Sequence, residues 1–177
     1  MISEESIAQH ISQTNWQNRV LFLGNSLPIR HMDRFARPGE HMPLVVANRG
    51  ASGIDGIIST AAGFAFGMGE PLVLLVGDMT FLHDINGLAF LNKIQTQVII
   101  VVVNNHGNGI FETLPIAQRA PEIFERYFKT SHEYDLKSAS QTYGVRHQQV
   151  KTKQEFEESY AQALKSKQSV VIEAILQ

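Results

Sequence analysis

Two runs decide the fold: Leu72–Val73–Leu74–Leu75–Val76–Gly77–Asp78 and Val98–Ile99–Ile100–Val101–Val102–Val103–Asn104–Asn105–His106–Gly107. Both are aliphatic and uncharged until their last residues, and the second is rich in β-branched side chains. Strands buried on both faces read this way, as in a parallel sheet beneath helices. Between the runs, Ile85, Leu88, Ala89 and Leu91 recur at helical spacing, so Thr80–Lys93 is expected to be a helix. The unit is strand, helix, strand, with a right-handed crossover expected.

In such a unit both strands point the same way. Asp78 and Asn104–Asn105 then fall at one edge of the sheet, each just past a carboxyl end. Neighbouring strands lie about 4.8 Å apart, which brings a carboxylate and a carboxamide onto one small volume. Open α/β sheets bind ligands at this edge. Oxygen donors from Asp and Asn, with a main-chain carbonyl from a glycine-containing turn, suit a hard cation such as Mg²⁺. The chain has no Cys, which excludes a thiolate metal site. Gly-Asp alone, or Asn-Asn-x-Gly alone, reads better as turn residues after a strand. The two together, at matching strand ends, favour the metal.

The 177 residues fit one domain, long enough to bury roughly 70% of the unfolded surface. Hydrophobic content of 44% against 18% charge places the chain among globular proteins. A formal net charge of −2 gives no broad footprint for nucleic acid. No apolar run is long enough for a membrane span, and Met1–Ile2–Ser3–Glu4–Glu5 lacks the basic and apolar regions of a secretory signal. With no Cys either, the expected location is cytoplasmic.

Upstream of the central unit, Ser3 is placed to cap a helix carrying Ile7, Ala8 and Ile11. Val20–Leu23 reads as a buried strand closed by Gly24–Asn25–Ser26, and Pro28 opens a helix with Ile29, Met32 and Phe35 on one side. Arg30 then lies near the sheet edge. His31 and His41 read as surface residues, without an obvious metal partner. Leu44–Val46 is a strand running into Asn48–Arg49–Gly50–Ala51–Ser52–Gly53–Ile54–Asp55–Gly56. The glycines of that loop permit close approach of the main chain to a ligand. The helix Ile57–Gly67 is made slim by its small residues. A glycine-rich loop feeding a helix suits an anion such as diphosphate, though the signal alone is weak.

Downstream, Asp84 is placed to cap the helix at Ile85. Ile110 and Phe111 read as pocket walls or loop anchors, and Gln118–Glu133 as a long connection suited to a mobile lid. Asp135–Leu136 starts a helix ending at Tyr143–Gly144, with Gly144 just past its end. Val145–Val150 is a strand, Thr152–Glu155 a capping box, and Ser169–Leu176 the last strand. The fold class is α/β: a doubly wound, about six-stranded parallel sheet with helices on both faces, in a single domain spanning 1–177.

Gly77–Asp78–Met79, a spacer, then Asn104–Asn105 resembles the Gly-Asp-Gly…Asn-Asn motif of thiamine diphosphate enzymes. Met79 departs from the common pattern at a position that supplies no ligand. The resemblance narrows with Gly24–Arg30, Asn48–Gly56, Gly77–Gly87 and Asn104–Phe111 taken together. In this order they resemble the 2-succinyl-5-enolpyruvyl-6-hydroxy-3-cyclohexene-1-carboxylate synthases of menaquinone biosynthesis. Members of that family are much longer and carry a pyrimidine-binding domain, a central domain and a diphosphate-binding domain. This chain is similar to the last alone.

The resemblance implies the thiamine diphosphate-binding fold and Asp78, Asn105 and Gly107 as ligands of Mg²⁺ or Mn²⁺. It implies cofactor contacts from Ser52, Gly53, Ile54 and Asp55, with Ile54 under the thiazolium ring. Gly77, Met79 and Thr80 join Asp78 on the diphosphate, with Asn108 and Ile110 beside Asn105 and Gly107. Substrate contacts fall to Arg30 and Arg49, with Asn25, Ser26, Ile110 and Phe111. The implied reaction is a decarboxylating transfer from 2-oxoglutarate to isochorismate, in a homodimer or tetramer. No catalytic residue is assigned here, because the family's activating glutamate belongs to the pyrimidine-binding domain, which this sequence lacks. The fragment alone is therefore expected to be inactive. Two alternatives remain: another thiamine diphosphate enzyme (an acetohydroxyacid synthase or a 2-oxo acid decarboxylase), or a non-catalytic α/β domain that assembles through its slim helix.

Overall fold

The computed structural model describes residues 1–14 and 16–176. Its strands are β1 (Val20–Leu23), β2 (Leu44–Val46), β3 (Leu72–Gly77), β4 (Val98–Asn104), β5 (Arg146–Val150) and β6 (Val170–Ile175). They form one sheet in the order β2–β1–β3–β4–β6–β5. Every pairing is parallel. β3 and β4 are neighbours along their whole length, Leu72 opposite Val98 and Gly77 opposite Val103. Asp78 and Asn105 therefore leave adjacent strands at the same edge, as the two apolar runs require.

The first helices are α1 (Glu4–Ser12), α2 (Leu27–Phe35) and α3 (Ile57–Met68). Short α4 (Asp78–His83), α5 (Leu88–Leu91), α6 (Pro115–Arg119) and α7 (Pro121–Phe124) follow, then α8 (Leu136–Thr142) and α9 (Lys153–Lys165). Alternate residues of β3 and β4 feed two cores. Val73, Leu75, Ile99 and Val101 pack with Ile7 and Ile11 of α1, Met32 of α2 and Phe156 of α9. Leu72, Leu74, Ile100 and Val102 pack with Ile58 and Ala62 of α3, Phe81 of α4, Leu88 of α5 and Leu136 of α8. Strands covered on both faces have no side that tolerates an unpaired charge, hence the unbroken apolar runs of β3 and β4. From the neighbours β1 and β3 the chain winds outward in opposite directions, to β2 and to β4. Such a switch point opens a crevice beyond the carboxyl ends.

Helix starts follow the expected chemistry. Ser3 Oγ accepts from Ser6 N, and Ser6 Oγ accepts in return from Ser3 N. Thr152 and Glu155 make the same reciprocal pair before α9. Asp135 caps α8, accepting from Lys137 N at 3.0 Å, and Gly144 beyond it takes a φ of +68°.

Three expectations are corrected. Thr80–Lys93 is not one helix: α4 begins at Asp78 itself, a 3₁₀ turn covers Ile85–Gly87, and α5 is a single turn. The break falls at Asp84, whose backbone (φ −131°, ψ 31°) lies outside the helical region. Nor does Asp84 cap Ile85. Its carboxylate reaches back to α3 and accepts from Ser59 N at 2.6 Å and Ser59 Oγ at 2.8 Å. The α3 N-cap is Gly56, which has no side chain to offer. Asp84 supplies from a distance the acceptor that α3 lacks. Finally, residues 118–133 are short helical turns rather than an open connection. After α6 and α7 comes a π-helical turn, Glu125–Lys129. Phe128 of that turn stacks on Phe124 and meets Phe111 edge-on, which seats the segment against the loop leaving β4.

Candidate functional site

Two adjoining cavities open at the carboxyl edge. The smaller, of about 40 Å³, is lined by Gly77, Asp78, Met79 and Thr80 from the end of β3, and by Asn105, Gly107, Asn108 and Ile110 from the end of β4. Ile54 and Ser26 close it from neighbouring loops. The larger, of about 310 Å³, is lined by Arg30, Arg49, Ser52, Gly53 and Phe111, and shares Ser26, Ile54, Asn108 and Ile110 with the first.

Asp78 is almost wholly buried. Its Oδ1 accepts from Met79 N at 2.7 Å, and its Oδ2 accepts from Gly107 N at 2.9 Å and faces His132 Nε2 at 3.1 Å. Burial pushes its carboxyl above the usual carboxylate range, and the Met79, Gly107 and His132 contacts do not fully offset it. Such a carboxylate gains from a nearby cation.

Asn105 supplies the second oxygen. Its Nδ2 donates to Glu4 Oε1 through a long 3.4 Å contact. Its Oδ1 is buried and has no hydrogen-bond partner among the described residues. A buried acceptor left unpaired costs roughly 1–3 kcal/mol, a cost that a metal ligand recovers when the ion binds.

The turn after β4 is held in an uncommon conformation. His106 has φ +61° and Gly107 φ +145°. A Cβ on Gly107 would lie 2.6 Å from Lys129 O, and one on Gly109 would lie 2.7 Å from Asn105 Nδ2. These glycines let the 125–131 segment and the Asn105 amide approach the main chain. The segment is tied there by Asn108 N donating to Lys129 O at 2.7 Å.

The cradle suits a hard divalent ion: one carboxylate, one unpaired carboxamide oxygen and a glycine-rich turn on one cavity. Among the described residues no three His, Asp or Glu side chains cluster as a metal site, so any ion here depends on amide and main-chain oxygen beside Asp78.

The other anticipated residues divide. Arg49 Nη1 donates to Asn25 Oδ1 at 2.6 Å, while Asn25 Nδ2 donates to Asn48 O and Gly53 O. Asn25 is thus buried, lines neither cavity, and braces the loop that presents Arg49. Arg30 Nη1 donates to Ser26 O at 2.7 Å. Asp55 is exposed and lines neither cavity. His41 is exposed, as anticipated, but His31 lines the smaller cavity 3.7 Å from Glu4 Oε2.

Three site residues escaped the sequence reading: His132, Glu4 and His31. His132 meets Asp78 from far along the chain, and no spacing rule links them. Glu4 reads as an ordinary acidic residue in a helix's first turn.

The same architecture occurs in solved structures. Benzoylformate decarboxylase from Polynucleobacter necessarius superposes with a TM-score of 0.84 at 20% identity, over 99% of this chain and 33% of that one. A putative thiamin diphosphate-dependent enzyme from Mycobacterium smegmatis gives 0.78 at 18% identity, over 99% and 32%. At these identities the likeness shows the fold.

The family follows from the sequence match. Residues 28–174 match the model described as "Thiamine pyrophosphate enzyme, C-terminal TPP binding domain", and the chain belongs to that family. Two similar relatives are named 2-succinyl-5-enolpyruvyl-6-hydroxy-3-cyclohexene-1-carboxylate synthase. That of Chlorobaculum tepidum is 45% identical over 97% of this chain, and that of Chlorobium limicola 44% over 97%. The chain spans 30% of the length of each. The resemblance carried by the four motifs is borne out.

Proposed function

We propose that this chain is the domain that grips the diphosphate of thiamine diphosphate through Mg²⁺, within a larger decarboxylating transferase. The observation that carries the reading is the pairing of Asp78 with the unpartnered Asn105 Oδ1 on one small cavity. Asp78, Asn105 and the carbonyl of Gly107 hold the ion, and Thr80 and Asn108 flank the diphosphate. When bound, the cofactor supplies the carbanion chemistry of decarboxylation and carbon–carbon bond formation. The protein's part is to bind, orient and exclude water.

For the substrates we propose 2-oxoglutarate and isochorismate, the pair that the family resemblance implies. Both are carboxylates, and Arg30 and Arg49 on the larger cavity offer forked donors to them. Ile54, shared by both cavities, stands where cofactor and substrate meet, and Ile110 and Phe111 wall the substrate side. Within this reading the pyrimidine-binding domain supplies the activating acid, the assembly is a homodimer or tetramer, and the location is cytoplasmic.

Turnover tests the reading. The protein extended to the relatives' full length should consume both substrates in a Mg²⁺- and cofactor-dependent reaction. The 177-residue chain alone should give none. Product from the isolated chain, or turnover by the long protein of pyruvate or benzoylformate in preference to 2-oxoglutarate, would overturn it.

A further inference from the structure

We propose that Glu173 is a positioning residue for the cofactor-gripping turn, acting through Asn104; the proposal rests on the thiamine diphosphate reading above. Glu173 lies inside β6, in an otherwise apolar run, and is 2% exposed. A carboxylate there is costly unless it is paired. Its Oε1 accepts from Asn104 Nδ2 at 2.7 Å. Its Oε2 accepts from Gln149 Nε2 at 3.3 Å and lies 3.0 Å from His147 Nε2. All four side chains share one sheet face, since Val102, Glu173 and Gln149 stand in register across β4, β6 and β5.

Stability alone does not call for this cluster. Apolar side chains of similar volume often serve a core as well as, or better than, a buried charged group. What the carboxylate does is fix an amide. A carboxylate only accepts, so Asn104 must turn its NH₂ toward Glu173. Asn104 Oδ1 then faces the turn and accepts from His106 N at 3.0 Å. That bond holds His106 at φ +61° and aims Gly107 N at Asp78 Oδ2, 2.9 Å away. Glu173, Asn104, the His106–Gly107 turn and Asp78 thus form one continuous series of contacts. The series passes immediately beside Asn105, whose open oxygen depends on the same turn. Partners that orient metal ligands typically contribute 10- to 100-fold to affinity.

The test uses the full-length enzyme and reads the dissociation constant for Mg²⁺ in the presence of thiamine diphosphate, at temperatures where every variant is folded. Glu173→Gln frees the Asn104 amide to flip, and its affinity should fall about tenfold. Asn104→Ala should lower it at least as much. In the Asn104→Ala background, Glu173→Gln should add no further loss, because the effect runs through that amide. A general loosening of the core would instead add to it. Should Glu173→Gln fail to fold, Glu173→Asp carries the test: it keeps the charge but draws the carboxylate back from Asn104, and should show a similar loss. Unchanged affinity in the folded variant, or additive losses in the double variant, would overturn the proposal while leaving the cofactor reading intact. No Mg²⁺-dependent cofactor binding by the wild-type enzyme would overturn both.

Discussion

Gly107 N donates to Asp78 Oδ2 at 2.9 Å, and this bond ties the end of β4 to the end of β3 across the candidate ion site. Gly107 sits at φ +145° with Lys129 O where a Cβ would be. Gly107→Ala should therefore force the turn to move. We expect a loss of roughly 1–3 kcal/mol in stability, the usual cost of such backbone strain. Mg²⁺-dependent cofactor affinity should fall as well. Urea unfolding and a cofactor titration check the two effects separately.

The contact from Asp84 to Ser59 predicts a purely structural effect. Asp84→Ala would leave Ser59 N and Ser59 Oγ without their acceptor at the start of α3. The expected cost is about 1–3 kcal/mol, read as a lower urea midpoint with an unchanged slope. Capping of Ile85 by Asp84 would instead confine the effect to the 3₁₀ turn and leave α3 protected in amide exchange.

Much of this was legible in the chain, and the reasons are physical. β3 and β4 are covered on both faces, so their sequences carry no charge and announce themselves. Ser3 and Thr152 act within one helical turn, so their roles lie in local spacing. What stayed hidden acts across distance. Asp84 serves a helix that precedes it, His132 reaches Asp78 only after the 125–131 segment folds back, and Glu4 meets Asn105 from the far end of the domain. Glu173 sits in a strand whose other residues are all apolar. Its purpose is visible only once β4, β6 and β5 are side by side.

Acid should expose Glu173. Burial pushes its carboxyl up, but the His147, Asn104 and Gln149 contacts outweigh burial and hold it below the ordinary carboxylate value. A folded-state pKa below the unfolded one contributes stability that is present above the unfolded value and lost as pH falls through the folded one. Wild-type stability should thus decline below the ordinary glutamate value of 4.5 more steeply than that of Glu173→Gln. Parallel urea midpoints for the two proteins between about pH 6 and 3 would contradict this.

Arg49 should act on substrate use. It is braced by Asn25 and lines the larger cavity. In the full-length protein, Arg49→Ala should lower kcat/KM for the two proposed carboxylate substrates by about 10- to 100-fold, the worth of a charged hydrogen bond. Arg49→Lys should recover little, since an ammonium cannot fork. Steady-state kinetics with each substrate varied in turn decide the point.

The most direct measurement is a calorimetric titration of thiamine diphosphate into the full-length protein, with and without Mg²⁺, for wild type and Asn105→Leu. Leucine keeps the shape of Asn105 and removes the oxygen that has no partner. The expected result is wild-type binding only with Mg²⁺, lost in Asn105→Leu, while the metal-free variant is at least as resistant to urea as wild type. Cofactor binding that ignores Mg²⁺, or that survives the substitution unchanged, would contradict the account.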